Sequence, residues 1–350
     1  MISFDQAGLP PGCVTGVGSL PFIDAEEAVK FVAEHCPELP FWPQLPVRCA
    51  GEGVIGQGLG RLIELLEPAE RPYCWRVRSG VQSELEAGLE RSDAGLVPET
   101  AAGFYALERA IPAGRLPGAR AVKAQIEGPA TLAHCLFLNG EPMSRSSEWR
   151  DRLAGWLERQ VVWQIQRLGA LGLPVVFVLD EPVLTPALVD REGSGLLTVA
   201  SGVRRVLDGA RRAGALVGIH CCAPLPLALL VEFDLDLVSF DANLPVDEIG
   251  FVQLARDIER RKGYVAYGLA PTGSTVATVE SMEARWYALA SMLGPPSVVA
   301  TQSLVTATCG LGLSTPAEAA NSFALARRLA QSLRSCAAGG PPQSDAGETE

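Results

Sequence analysis

Two periodicities alternate along this chain. Short runs of apolar and β-branched residues stop abruptly at Gly, Pro or Asp, and between them lie longer stretches whose apolar positions recur every three to four residues. The short runs predict eight strands: Cys13 to Val17, Pro40 to Leu45, Ala121 to Ile126, Pro174 to Leu179, Ala215 to Ile219, Leu235 to Phe240, Gly263 to Gly268 and Val298 to Val305. Strand and helix in strict alternation favour a parallel sheet, and eight repeats predict an α/β fold of the (β/α)₈ (TIM) barrel class.

Helix signals fall between the strands. Asp24 can cap AEEAVKFVAEH, and SEWRDRLAGWLERQVVWQIQRLGALG is one long amphipathic run. Thr315-Pro316-Ala317-Glu318 reads as a capping box with Pro at the first helical position. Residues 50–118 are too many for one connection. They hold the helical pieces GLGRLIELLEP and PETAAGFYALERA and a hairpin signal around RPYCWRVRSG, and so predict an elaboration inserted over the barrel mouth. A single catalytic barrel over residues 1–336 and a disordered tail over 337–350, which is nearly devoid of apolar residues, complete the expected organisation.

Composition narrows the function. At 350 residues and 48% hydrophobic the chain can bury one large core, and 36 Gly with 26 Pro stay below the level that marks low complexity. A net charge of -11, from 29 Lys and Arg against 40 Asp and Glu, speaks against nucleic acid or an anionic membrane as partner. The opening MISFDQAGLPPG has no basic or apolar leader pattern, and no run of eighteen apolar residues follows, so a cytoplasmic protein is expected. Nine cysteines, irregularly spaced, then read as metal ligands or apolar fillers rather than bridges. Cys13, Cys36, Cys49, Cys74, Cys135 and Cys336 take the filler reading.

The chemistry-bearing residues collect where the predicted strands stop. Ser19 follows the first strand in TGVGSLP, Glu127 the third in KAQIEGPATLA, and Asp180 with Glu181 the fourth in VVFVLDEPVL. His220 and Cys222 follow the fifth, Asp241 the sixth and Cys309 the eighth. In a parallel barrel all these positions share one face, where active sites are built. Thiol, imidazole and carboxylate groups are zinc ligands, and the period of two along a strand lets His220 and Cys222 point the same way. Asp241 is read either as a direct ligand or as a partner to one.

Other features have plainer readings. His35-Cys36 and His134-Cys135 lack strand-end partners, and Trp149, Trp156 and Trp163 form a packing stripe on one helix. GVGS lacks the third glycine of a dinucleotide fingerprint.

Taken together, GSLP, LDEP, the His220-x-Cys222 pair, SFD and the late CGL resemble the catalytic C-terminal barrel of cobalamin-independent methionine synthase. That family lies within the larger uroporphyrinogen decarboxylase-like superfamily, beside zinc-dependent corrinoid methyltransferases. The resemblance implies that His220, Cys222 and Cys309 bind Zn²⁺, that Ser19 holds the carboxylate of homocysteine and that Asp180, a catalytic and substrate-binding residue, receives its ammonium. It implies a zinc-dependent methyltransferase of methionine biosynthesis, with methyltetrahydrofolate or a methylated corrinoid protein as donor.

The chain departs from the pattern in three places. Asp241 stands where the family has a zinc-binding glutamate, Leu269 stands in YGLAP where the family has a histidine, and the full-length enzyme's other barrel has no counterpart here. Glu52 and Glu127 are both candidates for the family's second ammonium-binding glutamate. Two alternatives remain at this stage: a metal-free decarboxylase of the uroporphyrinogen type, whose arginine-rich signature is missing, and a non-catalytic zinc-stabilised barrel that docks a corrinoid protein.

Overall fold

The computed structural model describes residues 8–185, 195–224, 227–273 and 276–340. Its strands are β1 (Cys13–Val14), β2 (Leu66–Pro68), β3 (Trp75–Val77), β4 (Val122–Glu127), β5 (Leu136–Leu138), β6 (Glu141–Pro142), β7 (Val175–Asp180), β8 (Leu216–Cys221), β9 (Leu237–Asp241), β10 (Tyr264–Ala270) and β11 (Ser303–Ala307). Seven form one parallel sheet in the order β1-β11-β10-β9-β8-β7-β4. Residues 40–45 bridge its two ends: Phe41 pairs with Lys123, Ser19 pairs with Gln44, and the Lys123 amide donates to the Pro40 carbonyl at 2.8 Å. The result is the expected α/β barrel.

Parallel strands covered on both faces read as continuous apolar runs. In β7, Val176 and Val178 point into the barrel with Leu216, Leu237, Ala266 and Leu304, while Val175, Phe177 and Leu179 pack outward on the helices. β4 breaks this rule, because its inward positions are Lys123, Gln125 and Glu127, in register with Val176, Val178 and Asp180. The first two are satisfied: the Lys123 ammonium donates to the Val17 carbonyl at 2.7 Å and to Gln125 at 3.0 Å, and Gln125 donates to the Trp42 carbonyl at 2.8 Å. Burial pulls the Lys123 pKa down to about 8.

Most predicted elements are present, with informative shifts. Asp24 caps Ala25–His35 by accepting two amides, Ser146 caps the long helix Ser147–Gly169, and the Thr315–Glu318 capping box opens Pro316–Ala337. That last helix runs into the start of the expected tail, and residues 341–350 lie outside the described residues. The eighth strand begins later than the β-branched run implies, since Pro296–Ala300 is helical and Val298 is half-exposed. The first strand is brief because Gly16 passes directly over Phe41; a Cβ there would lie 2.3 Å from the ring.

The predicted helix in GLGRLIELLEP instead splits into Val54–Leu59, a 3₁₀ stretch Gly60–Leu65 and strand β2, broken at Gly60, whose φ is +54°. β2 and β3 form the expected hairpin, and β5 and β6 extend it to a small four-stranded sheet beside the barrel. No helix among the described residues is long and apolar enough to cross a membrane.

Candidate metal centre

β8 delivers the first ligand. Leu216, Gly218 and His220 alternate into the barrel, and His220 ends that series almost fully buried. Its Nδ1 lies 2.9 Å from the Ser239 hydroxyl on β9, whereas its Nε2 is buried without a hydrogen-bond partner among the described residues. A ring held through one nitrogen, with the other left bare, is the arrangement that metal-bound histidines adopt.

The bare nitrogen faces sulfur. The ligand atoms of His220, Cys222 and Cys309 all lie within 4.8 Å of one another, the one such group among the described residues. Cys221 is the last residue of β8 and turns away, its buried thiol donating to the Ala223 carbonyl. Cys222 therefore reaches the centre from the loop beyond the strand. Cys309 arrives from the loop after β11, which is tied down at both ends: the Thr308 amide donates to Ala270 at 2.9 Å and the Leu311 amide to the Ser19 carbonyl at 2.9 Å.

Electrostatics make this a thiolate site. The Cys222 thiol and then the nearby His220 ring pull the Cys309 thiol down to about 4, against the opposing effect of burial. Cys222, the donor, is pushed upward by the same bond and by burial. The donor set, two sulfurs and an unpartnered imidazole nitrogen, fits a thiophilic ion such as Zn²⁺.

Ser19 belongs to the same neighbourhood. A Cβ on Gly310 would sit 2.1 Å from the Ser19 hydroxyl, so that glycine lets the Cys309 loop close on it. Asp241 ends β9 nearby, but its carboxylate is not within the 4.8 Å group; Oδ1 accepts the Asn243 amide at 2.9 Å in its own turn. Leu269 is buried in the apolar layer outside the barrel, beside an irregularity in β10 at Gly268–Ala270.

Beside the sulfurs runs a row of acids. Glu127, Asp180 and His220 are in register across β4, β7 and β8. Asp180 Oδ1 and both Glu127 oxygens are buried with no partner meeting hydrogen-bond geometry. Burial raises Asp180 from an ordinary 3.8 to about 6, with Lys123 and His220 opposing, and burial raises Glu127 well above the usual carboxylate range.

The neighbouring acids are spoken for. Glu181 accepts the Ala130 and Thr131 amides and the Thr131 hydroxyl, and so fastens the start of helix Pro129–Cys135. Glu52 accepts the Leu45 and Ala102 amides and pairs with Arg48 at 2.8 Å. Glu127, not Glu52, is thus the acid left free next to Asp180. Ser239 is legible in the sequence only as an inward position two residues before Asp241 on its strand.

Removing the Ser239 hydroxyl frees the His220 ring. Ser239→Ala is expected to weaken zinc affinity by about 10–100-fold with little change in folding. Competition with a chromogenic chelator measures it, and unchanged affinity would deny Ser239 its orienting part.

No family model matches the chain, and no curated protein matches it. Among solved structures it is similar to a B12-independent methionine synthase from Shewanella sp. W3-18-1 in complex with selenomethionine, with a TM-score of 0.60 at 12% identity over 94% of this chain and 99% of that one. It is also similar to a methyltransferase from Methanosarcina mazei, with a TM-score of 0.55 at 15% identity over 92% of this chain and 96% of that one. At these identities the likeness is one of fold, and it extends over nearly the whole of all three chains.

Proposed function

We propose that this chain is a zinc-dependent methyltransferase that transfers a methyl group to the thiol of homocysteine, giving methionine. The observation that carries the reading is the convergence of ligand atoms of His220, Cys222 and Cys309 within 4.8 Å at the mouth of a barrel whose fold is similar to that of a B12-independent methionine synthase and of a methyltransferase. Bound zinc would supply the Lewis acidity that keeps a thiol deprotonated at neutral pH, where a free thiol of pKa about 8.5 is mostly protonated.

The chain's own residues do the rest. His220, Cys222 and Cys309 hold the ion, and Asp241 is proposed as the remaining carboxylate ligand after a small shift of its turn. Asp180 receives the substrate's ammonium, with Glu127 beside it as a second acceptor, and Ser19 holds the carboxylate. Because Glu127 and Asp180 follow His220 in register, the ammonium would lie next to the sulfur end of the substrate. The donor is methyltetrahydrofolate or a methylated corrinoid protein, whose methyl group must be presented in line with the sulfur.

Zinc content of the purified chain, followed by X-ray absorption with and without homocysteine and by methylation assays with each donor, tests this. A new sulfur neighbour on the metal supports the proposal. A protein that takes up no zinc would return the chain to the decarboxylase reading, and one that binds zinc but ignores thiols to a docking role.

Asp180 adds a pH dependence. It is charged only above about 6, so KM for homocysteine should rise as pH falls through that value, while KM for 4-mercaptobutyrate, which lacks the amine, should not. Asp180→Asn should raise KM for homocysteine by about 10–100-fold at neutral pH, the size of a charged hydrogen bond. In the metal-free protein the sign for stability is opposite. A folded pKa near 6, against 3.8 unfolded, favours the fold at low pH, and that contribution is lost as pH rises through 6.

A further inference from the structure

A second pair of thiols lies away from the metal centre. Cys74 and Cys135 read in the sequence as isolated apolar fillers, yet each immediately precedes a residue of the β3–β5 pairing, where Trp75 is in parallel register with Leu136. One residue back from that register stand two cysteines, Cys74 in the turn before β3 and Cys135 at the end of helix Pro129–Cys135. Both are free and buried, 4% and 8% exposed, and the Cys135 thiol hydrogen-bonds to the Cys74 sulfur. Thiols in hydrogen-bond contact need only a side-chain rotation to reach the sulfur–sulfur distance of a disulfide.

A cation lies beside the pair. Arg71 sits one turn before Cys74, with the Cys74 amide bonded to its carbonyl at 3.1 Å, and its guanidinium lies 3.0 Å from the His134 ring, next to Cys135. Burial pushes the Cys135 thiol up to about 12 and the neighbouring Cys74 adds to the rise, with the Arg71 charge opposing. The turn carrying Cys74 is open to solvent at Tyr73, which is 68% exposed and held at a φ of +63°.

We propose that Cys74 and Cys135 form a redox-active pair that closes to a disulfide by exchange with a small disulfide such as oxidised glutathione. The Cys74 thiolate attacks one sulfur of the reagent, breaking its S–S bond and releasing one glutathione thiolate. The Cys135 thiolate then attacks the Cys74 sulfur of the mixed disulfide and releases the second. Two protein thiols are oxidised, one glutathione disulfide is reduced to two glutathiones, and the protons follow the departing thiolates.

The bond would fasten the small sheet to the barrel. Cys135 ends the helix whose start is held by Glu181, the neighbour of Asp180, while Cys74 belongs to the hairpin of the insertion. Oxidation closes a loop of about sixty residues and removes conformational freedom from the unfolded chain. The oxidised protein is accordingly the more stable one.

The zinc-loaded full chain, equilibrated in glutathione buffers of increasing oxidised fraction, trapped with acid and alkylated, gives peptides that mass spectrometry can read. The expected product is a Cys74–Cys135 cross-link that forms in preference to any involving Cys222 or Cys309 and reverses in dithiothreitol, with a higher unfolding midpoint for the oxidised chain. Cys135→Ala should accumulate the glutathione adduct on Cys74. Absence of the cross-link where oxidised glutathione predominates, or absence of the adduct in Cys135→Ala, overturns the proposal. An oxidised midpoint no higher than the reduced one overturns the fastening.

Discussion

Cys309→Ser should leave a folded barrel that has lost its metal and its chemistry. Serine is nearly the same size, but its hydroxyl is not a thiolate at neutral pH, so the site loses the sulfur that both His220 and Cys222 contact. Zinc bound at stoichiometric concentrations should fall from about one ion per chain to a small fraction, and thiol methylation should fall by more than about 100-fold, because even groups that only orient a ligand are worth 10–100-fold. The metal-free variant and metal-free wild type should melt alike, since Cys309 sits on a loop pinned independently by Thr308 and Leu311. A variant that holds an equivalent of zinc with undiminished affinity would take Cys309 out of the ligand set.

Gly58→Ala is the second large effect, and it acts on the fold. An added Cβ would lie 1.4 Å from Glu127 Oε1 and 2.4 Å from its carboxyl carbon, so the buried Glu127 side chain must shift before the methyl group fits. The carbonyl of the same glycine accepts the Trp156 indole at 2.7 Å and the Gln160 side-chain amide, so helix Val54–Leu59 cannot lift away without leaving those donors unpaired. Overpacking of this kind costs about 1–3 kcal/mol, read as a shifted denaturant midpoint. Shortening the acid should relieve it: Glu127→Ala and Gly58→Ala together should be more stable than the sum of their separate effects predicts. Strict additivity would mean that the two residues do not press on each other.

The Gly58–Glu127 contact also shows how the insertion completes the site. Residues 54–59 arrive from a segment with no strand in the barrel, yet they close over the acid row and set the Gly58 backbone against a Glu127 carboxylate whose oxygens no group meets in full hydrogen-bond geometry. Lys123, the cation that acts on Asp180, spends its hydrogen bonds on Val17 and Gln125. An ammonium, with three donors, can serve both acids at once.

Much of this was readable from residue order because of one property of parallel barrels. Every strand runs the same way, so whatever follows each apolar run is delivered to the same end; Ser19, Glu127, Asp180, His220 and Cys309 could be grouped without coordinates. Helix limits were equally local, as the caps at Asp24 and Thr315 depend on side chains reaching amides two or three residues away. Local order also misled. Val298-Val299 looks like the start of a strand, but Pro295 and Pro296 open a helical turn there.

Residue order by itself determined the α/β barrel, the face that carries the chemistry and the sulfur–imidazole character of the candidate site, because strand direction and side-chain period are properties of the local backbone. Only the tertiary structure decided that Cys222 reaches His220 from beyond the strand, that Asp241 stands outside the 4.8 Å group, that Arg48 and two amides occupy Glu52 while Glu127 stays free, and that Cys74 meets Cys135. Each of those outcomes depends on segments far apart in the chain being packed to within a hydrogen bond of one another, and no periodicity encodes such a distance.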